Sequence, residues 1–133
     1  MSPTIYGVGT GLFNKLSIQV PTLIRSAIKA GRSEVLGEGS GQWDYVHVAD
    51  LVTLYTLLLK RVLAGEEIPT GKKGIIFSSA GRYKWLDLAK GIASALFSLG
   101  AIKTEEVSHI DVSEAAKWSG GLTLNAELGF ASK

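Results

Sequence analysis

Two glycine-rich stretches are the first residues of this chain that could do chemistry, since glycine loops at helix starts bind phosphates. They occupy residues 7–11 and 37–41. A dinucleotide-binding fingerprint needs the spacing G-x-G-x-x-G between a strand and a helix, so that helix N–H groups meet the pyrophosphate. Both stretches read G-x-G-x-G instead. The first precedes a predicted helix by several residues and the second leads into a predicted strand, so we predict flexible turns at both.

Proton transfer could come from a Tyr-x-x-x-Lys pair, which places a phenol and an ammonium one helical turn apart. The ammonium would lower the pKa of the phenol and help it to exchange a proton. None of the four tyrosines has a lysine four residues further on. Tyr83 and Lys84 are adjacent, and adjacent side chains diverge on a helix. We therefore predict no catalytic residue in these 133 residues.

The two histidines, His47 and His109, lie in no metal-binding spacing, so no metal site is predicted. His47 lies on a predicted strand three residues before Asp50, where it could hydrogen-bond the start of the next helix. That structural role is favoured over catalysis. A Ser-His-Asp hydrolase built from Ser78, His47 and Asp50 is the competing hypothesis, but the G-x-S-x-G turn that exposes the nucleophile is missing.

Hydrophobic spacing indicates the elements that would position these residues. Strands are predicted at residues 4–6, 33–36, 43–48, 74–78 and 106–110, the fourth of them buried. Helices are predicted from Pro21 to Gly31, from an Asp50 cap to residues 64–65, from Trp85 to Gly100, and after a Ser113 cap. This order predicts an α/β fold with some parallel pairing, in a single incomplete domain over residues 1–133.

Composition excludes several classes of function. The net charge is only +2 and the basic residues are scattered, so no nucleic-acid partner is expected. There is no cysteine, which excludes disulfides and a thiol nucleophile. No signal peptide is recognisable, and the longest apolar stretch, residues 51–59, is too short for a membrane span, so a cytoplasmic protein is expected.

The chain is also rather apolar, with 46% hydrophobic and 20% charged residues and a mean hydropathy of +0.22. Two explanations stay open. Either a partner or further chain covers some apolar surface, or long helices are buried in a compact domain.

Three segments together resemble one family. Pro3-Thr4-Ile5-Tyr6-Gly7-Val8-Gly9 is similar to the Pro-x-x-Tyr-Gly strand and loop of the extended short-chain dehydrogenases/reductases, the NAD-dependent epimerase/dehydratase group. Residues 21–24 through 35–39 resemble the helix and glycine turn of its substrate region. Residues 43–51 resemble its Asp-Phe/Tyr-Val-His-Val-x-Asp strand and helix start. Their order and spacing match as well, and residues 128–132 resemble a later segment of the family.

The resemblance implies a partial Rossmann-like α/β fold, the C-terminal strands and helices of such an enzyme, with an incomplete parallel sheet and a substrate subdomain. The chain would start just after the Tyr-x-x-x-Lys helix. NAD(P) is implied for the full-length parent, with no tight binding expected to this chain alone. The cofactor-binding residues implied are Pro3, Thr4, Ile5 and Tyr6, on the nicotinamide side.

Trp43 and His47 are the substrate-binding residues that the resemblance implies. Family members acting on nucleotide sugars usually carry arginine where this chain has Trp43. Guanidinium clamps a phosphate through paired N–H groups and indole does not, so a smaller carbonyl or alcohol substrate is expected. The leading hypothesis is the substrate-side part of an NAD(P)-dependent oxidoreductase or epimerase, inactive alone. The alternative is a non-catalytic module that self-associates, such as a homo-oligomer, or binds another chain.

Overall fold

A computed structural model describes residues 3–115 as alternating strands and helices. The elements are β1 (Thr4–Tyr6), α1 (Gln19–Ala30), β2 (Ser33–Leu36), β3 (Gln42–His47), α2 (Val48–Leu63), a 3-10 turn (Gly71–Lys73), β4 (Gly81–Lys84), α3 (Trp85–Ser98), β5 (Val107–Ile110) and α4 (Val112–Ala115). The α/β class is confirmed. Trp118 and residues 128–132 lie outside the described residues.

The strands form two small sheets. One has the order β1-β3-β4, and the other pairs β2 with β5. β1 and β3 run parallel with Tyr6 opposite His47, and β2 and β5 run parallel with Leu36 opposite Ile110. The predicted parallel pairing is therefore confirmed, and the architecture is that of a partial Rossmann-like α/β fold.

Spatially the chain divides into two compact units. Within the described residues, the first unit holds 3–17 and 44–82, and the second holds 18–43 and 83–115. Two of the three boundaries between the units fall inside β3 and β4, and the third falls between residues 17 and 18. The expectation of a single incomplete domain over 1–133 stays a prediction.

The second unit has a closely packed core. Helices α1 and α3 pack against each other and against β2, and α3 also packs against β5. Five buried residues form the centre of this core, with Leu23, Ile24, Leu88 and Val107 packed around them: Ala27, Ile92, Ala93, Leu96 and Ile102. The Ser33 hydroxyl, in β2, donates to the Ala89 carbonyl in α3 at 2.9 Å. This buried bond joins the sheet to the helix.

Helix α1 ends as the sequence predicts. Pro21 lies in its first turn, where the missing N–H breaks no helical hydrogen bond. Gly31 has φ +75°, a left-handed conformation that residues with a side chain rarely adopt. Arg32 then donates its backbone N–H to the Ala27 carbonyl at 3.1 Å, which closes the last turn.

The first unit is packed differently. Helix α2 has no buried residue, although its leucines follow helical spacing. The buried strand expected at residues 74–78 is wrong, because these residues form no strand and Ile75 and Phe77 are 69% and 83% exposed. A buried strand needs a neighbouring strand and a covering layer, and among residues 3–115 this run has neither. The strand before α3 is instead β4, at Gly81–Lys84.

Two predicted helix caps are also wrong. Helix α2 begins at Val48 with His47 as its cap, so Asp50 lies within the first turn. There its carboxylate faces the positive end of the helix dipole without accepting the capping bond. In the short helix α4, Asp111 rather than Ser113 is the acceptor, and it takes the Glu114 N–H at 2.9 Å. Ser113 donates its hydroxyl to the same carboxylate.

Candidate functional site

An aromatic cluster lies where the parallel strands β1 and β3 end. Tyr6 and His47 are the last residues of these strands and are register partners. Their rings meet edge-on with centroids 5.1 Å apart, and Tyr6 meets Tyr45 in the same manner at 6.0 Å. Ligands of α/β proteins bind at the carboxyl ends of parallel strands. The cluster therefore occupies the edge of the sheet where chemistry is expected.

Gly7 is required at this edge for two reasons. Its φ of +102° lies in the region that strongly favours glycine. A Cβ atom at this position would overlap the imidazole of His47. The absence of a side chain thus lets the His47 ring lie directly against the backbone that follows β1.

The His47 ring is oriented by a hydrogen bond to the helix that follows it. Its Nδ1 accepts the backbone N–H of Ala49 at 3.2 Å and caps helix α2. This confirms that His47 hydrogen-bonds the start of the helix. Because Nδ1 accepts, the proton of the neutral ring lies on Nε2, which is a donor. A contact between His47 and a substrate stays a prediction.

The same hydrogen bond argues against the hydrolase hypothesis. In a Ser-His-Asp triad the carboxylate accepts from Nδ1–H of the histidine, while Nε2 takes the proton from serine. In His47 the Nδ1 atom is itself an acceptor, engaged by Ala49. Asp50 therefore has no Nδ1 proton to accept from His47.

The residues expected on the cofactor side differ in their access to solvent. Thr4 is only 2% exposed, whereas Ile5 and Tyr6 are 38% and 39% exposed. Pro3 is half-buried. Of these four, Ile5 and Tyr6 therefore present the most surface to a ligand. Trp43, the second substrate candidate, is half-buried and belongs to the second unit. Its contact with a substrate stays a prediction.

Neither glycine loop forms a cradle for a pyrophosphate. In the first loop Gly9 donates its N–H to the Lys15 carbonyl at 2.8 Å, and α1 starts only at Gln19. In the second loop Gly37 donates to Ile110 at 2.9 Å and Gly39 to Leu36 at 3.2 Å. These N–H groups are thus committed to the chain's own carbonyls. Neither loop therefore presents these N–H groups to a pyrophosphate.

One ion pair joins a residue of β3 to a residue of β4. The Arg82 guanidinium donates from Nε to the Asp44 carboxylate at 2.7 Å. This hydrogen bond, together with the positive charge of Arg82, lowers the pKa of Asp44 from its usual value. The Arg82 side chain is 62% exposed and the Asp44 side chain 36%, so solvent screens the pair and it contributes little to stability.

The second unit contains a cavity of about 540 Å³ that the sequence did not indicate. It lies beside the carboxyl ends of β2 and β5, between the residues that follow the two strands. Its lining includes the loop at 37–41, His109, Asp111 and Trp85, with the apolar side chains of α1 and α3. The strand ends are some seventy residues apart in sequence, and only the β2–β5 pairing brings them together. In the sequence, the cavity could have been located only from Gly37 and Asp111, a turn residue and a capping residue that directly follow two predicted strands.

Comparison with known proteins decides the family. The family model of the NAD dependent epimerase/dehydratase family matches residues 1–71, more than half of the chain. The chain belongs to the NAD dependent epimerase/dehydratase family. The Oxidase ucsJ of Acremonium sp is 26% identical over 119 residues, which cover 84% of this chain. They cover 34% of the oxidase, so the chain spans about a third of the length of this relative.

Membership of the epimerase/dehydratase family confirms the resemblance carried by the motifs around Tyr6 and His47. Both motifs fall within the matched residues, and the structure brings them together at one sheet edge. Within residues 3–115, no helix is long and apolar enough to cross a membrane, and no three His, Cys, Asp or Glu side chains are grouped to hold a metal ion.

Proposed function

We propose that this chain supplies the substrate-side wall of a site in an NAD(P)-dependent oxidoreductase or epimerase of the epimerase/dehydratase family, and that it has no turnover alone. The substrate would be a carbonyl or alcohol compound. The observation that carries the proposal is the aromatic cluster of Tyr6, Tyr45 and His47 at the carboxyl ends of β1 and β3. Family membership supports it independently.

The roles follow from access and hydrogen-bonding capacity. Pro3, Thr4, Ile5 and Tyr6 would line the nicotinamide side, with the exposed faces of Ile5 and Tyr6 making the contact. His47, with Nδ1 engaged by Ala49, would offer its Nε2–H to a substrate oxygen. Both roles are substrate or cofactor positioning and not proton transfer. The aromatic cluster of Tyr6, Tyr45 and His47 contains no ammonium group that would lower the pKa of the Tyr6 phenol.

The substrate class rests on Trp43. A half-buried indole stands where nucleotide-sugar members of the family usually carry arginine, and it presents an apolar face instead of a phosphate clamp. We infer a compact or apolar carbonyl or alcohol compound as the substrate of the whole protein. In this setting Trp43 would contact its apolar part.

Nuclear magnetic resonance tests the nicotinamide side. Reduced nicotinamide mononucleotide, which carries the ring without the adenosine half, should shift the ring resonances of Tyr6 and His47 at about millimolar concentration. Tyr55, an exposed residue of α2, is the internal control and should not move. No shift at Tyr6 up to about 10 mM would rule out the proposed wall. Micromolar NADH binding with turnover of a carbonyl substrate would show that the chain is a complete catalyst.

A self-associating module is the second candidate, favoured by the exposed apolar surface of the first unit. Of the twenty large hydrophobic side chains exposed in the described residues, fifteen belong to this unit. Exposed apolar surface of this extent marks interaction sites. On this hypothesis sedimentation velocity should show oligomers that dissociate on dilution.

Matched variants locate the association surface. The double substitution Leu59→Glu with Leu63→Glu, on the exposed side of α2, should yield monomers. Leu99→Glu, which places one glutamate on an exposed leucine of the second unit, should leave the association unchanged. A wild-type protein that is monomeric at all concentrations would contradict the module hypothesis.

A further inference from the structure

We propose that His47 is an acid-sensitive switch at the candidate site: when its imidazole takes up a proton, the hydrogen bond that caps helix α2 breaks. The start of the helix then loses order, and the ring is no longer fixed against Gly7. The inference goes beyond the proposed function, because the switch needs neither a cofactor nor a substrate.

The two histidines bond to the backbone through the same ring atom in opposite senses. Nδ1 of His47 accepts the N–H of Ala49 at 3.2 Å, so this nitrogen carries no proton. Nδ1 of His109 lies 2.6 Å from the carbonyl oxygen of Gly37, which only accepts, so this nitrogen carries the proton and donates. Protonation adds a proton to Nδ1 in His47 and to Nε2 in His109. Acid therefore removes the first hydrogen bond and keeps the second.

No rotation of the protonated His47 ring restores the cap. Both nitrogens of an imidazolium are donors, so the ring has no acceptor left for the Ala49 N–H. The ring also has little room to adjust in place. The Gly7 backbone lies so close that a Cβ atom there would overlap the imidazole, and the Tyr6 ring meets it edge-on with centroids 5.1 Å apart. The protonated ring must therefore move away from Ala49.

The groups around His47 act on its charge in opposite directions. The titratable group that faces it from β1 is the Tyr6 phenol, and Asp44, on the same strand as His47, is bound to Arg82 of β4 at 2.7 Å. On α2, the positive end of the helix dipole disfavours an imidazolium, whereas the Asp50 carboxylate in the first turn favours it. The capping bond, which exists only for the neutral ring, is therefore the main link between the proton and the helix.

The start of α2 depends on this cap. No residue of Val48–Leu63 is buried, so tertiary packing does not compensate for a lost capping bond. The Thr53 hydroxyl donates to the Ala49 carbonyl at 3.0 Å, but it offers no acceptor to the Ala49 N–H. His47 is only half-buried, so its ring exchanges protons with water. One proton on His47 thus controls both the order of the first turn and the hydrogen-bonding capacity of the candidate site.

Nuclear magnetic resonance follows the switch in the full chain without any ligand. The pH is lowered from about 8 to about 5, the range in which imidazole side chains take up a proton. We expect the Ala49 amide resonance to shift with the same midpoint as the His47 ring resonances. The hydrogen-exchange protection of this amide, corrected for the intrinsic effect of pH, should fall at least about fivefold.

Two amides of the second unit are internal controls. The Gly37 N–H donates to the Ile110 carbonyl at 2.9 Å, and Ala93 is completely buried in the core. Neither lies next to a hydrogen bond that a proton removes, so both amides should keep their protection over the same range of pH.

Three variants separate the cap from the titration. His47→Asn keeps a capping oxygen and takes up no proton, so the protection of the Ala49 amide should be equal at both ends of the pH range. His47→Ala removes the cap, and the protection should be low throughout. His109→Gln is the matched control, because it removes the other, exposed histidine and should leave the response of Ala49 unchanged.

The proposal is overturned if the Ala49 amide of the wild-type chain keeps its protection down to about pH 5, or if His47→Asn retains the pH response. Equal losses at Ala49, Gly37 and Ala93 would also overturn it, since they indicate global unfolding. Should His47→Asn not fold, a response that persists in His109→Gln supports the proposal and one that disappears contradicts it. Because no cofactor or substrate is present in any arm, these outcomes leave the proposal for the Tyr6–His47 wall unaffected.

Discussion

The second unit buries its apolar side chains between two helices and two strands, whereas the first leaves most of its apolar side chains in solvent. The contrast is clearest between α3 and α2. Helix α3 buries Ala89, Ile92, Ala93 and Leu96, and α2 buries none of its residues. Both helices are strongly apolar in sequence, so their composition does not account for the difference.

The two units therefore owe their order to different interactions. In the second unit, burial of apolar surface stabilises the fold, at roughly 25 cal/mol per Å² removed from water. In the first unit, the candidate site is held by backbone geometry and hydrogen bonds: the parallel register of β1 and β3, the His47 cap and the left-handed Gly7. Substitutions should distinguish the contribution of apolar burial from that of backbone geometry.

Truncation of a core leucine should give the largest effect. Leu96→Ala, in the core of the second unit, should lower the free energy of unfolding by about 2–5 kcal/mol, because it leaves a cavity. Leu63→Ala, at a residue 77% exposed in α2, should change it by less than about 0.5 kcal/mol. Urea unfolding measures both. Similar losses for the two variants would break the contrast between the units.

Gly7→Ala tests whether backbone geometry holds the candidate site. The new methyl group would occupy the space of the His47 ring, at a φ that alanine rarely adopts, and should cost about 1–3 kcal/mol. Gly11→Ala is the matched control, since its Cβ would come no closer than 3.7 Å to the nearest atom. The His47 ring resonances should move in the first variant alone. Equal behaviour of the two variants would argue against a fixed ring.

Ser33→Ala removes the buried bond between β2 and α3. Loss of the hydroxyl donor should lower the free energy of unfolding by only about 1 kcal/mol, because the Ala89 carbonyl lies inside α3 and keeps its helical hydrogen bond. Ser94→Ala removes an exposed hydroxyl of the same helix, 3.3 Å from Glu105, and should be nearly neutral. Thermal unfolding compares the two. A neutral Ser33→Ala would show that apolar packing alone holds the sheet to the helix.

The Asp44–Arg82 pair should give the smallest effect. Arg82 lowers the pKa of Asp44 below 3.8, so the folded state favours the ionised carboxylate. The resulting stabilisation is present above about pH 4 and is lost as the pH falls through the lowered pKa. Asp44→Asn should therefore slightly reduce stability near neutral pH and remove this part of the acid dependence. Glu67→Gln, an exposed carboxylate of the same unit, should leave the acid dependence unchanged.

Local signals predicted the elements that have local causes. The strand Thr4–Tyr6 stops at a glycine, α1 stops at Gly31, and α3 follows the spacing of Leu88, Ile92 and Leu96. These features depend on residues within a few positions of one another, which a sequence displays directly. The family motifs around Tyr6 and His47 were recognisable for the same reason.

The errors fall where non-local or dual-purpose residues decide the structure. Residues 74–78 carry the signal of a buried strand, yet pairing depends on a distant partner strand. Asp50 has the better capping propensity, but His47 both ends β3 and caps α2, so the helix starts before the expected position. The cavity was missed because its two walls, at residues 37–41 and 109–112, meet only in the folded chain.

The pairing of β2 with β5 also has a consequence for how the chain acquires its structure. The segment between these strands includes β3, α2 and β4, and much of it belongs to the first unit. During synthesis β2 leaves the ribosome long before β5, and the sheet of the second unit has no second strand until then. We therefore expect slow, late formation of the hydrophobic core, as is usual where contacts join distant parts of a chain.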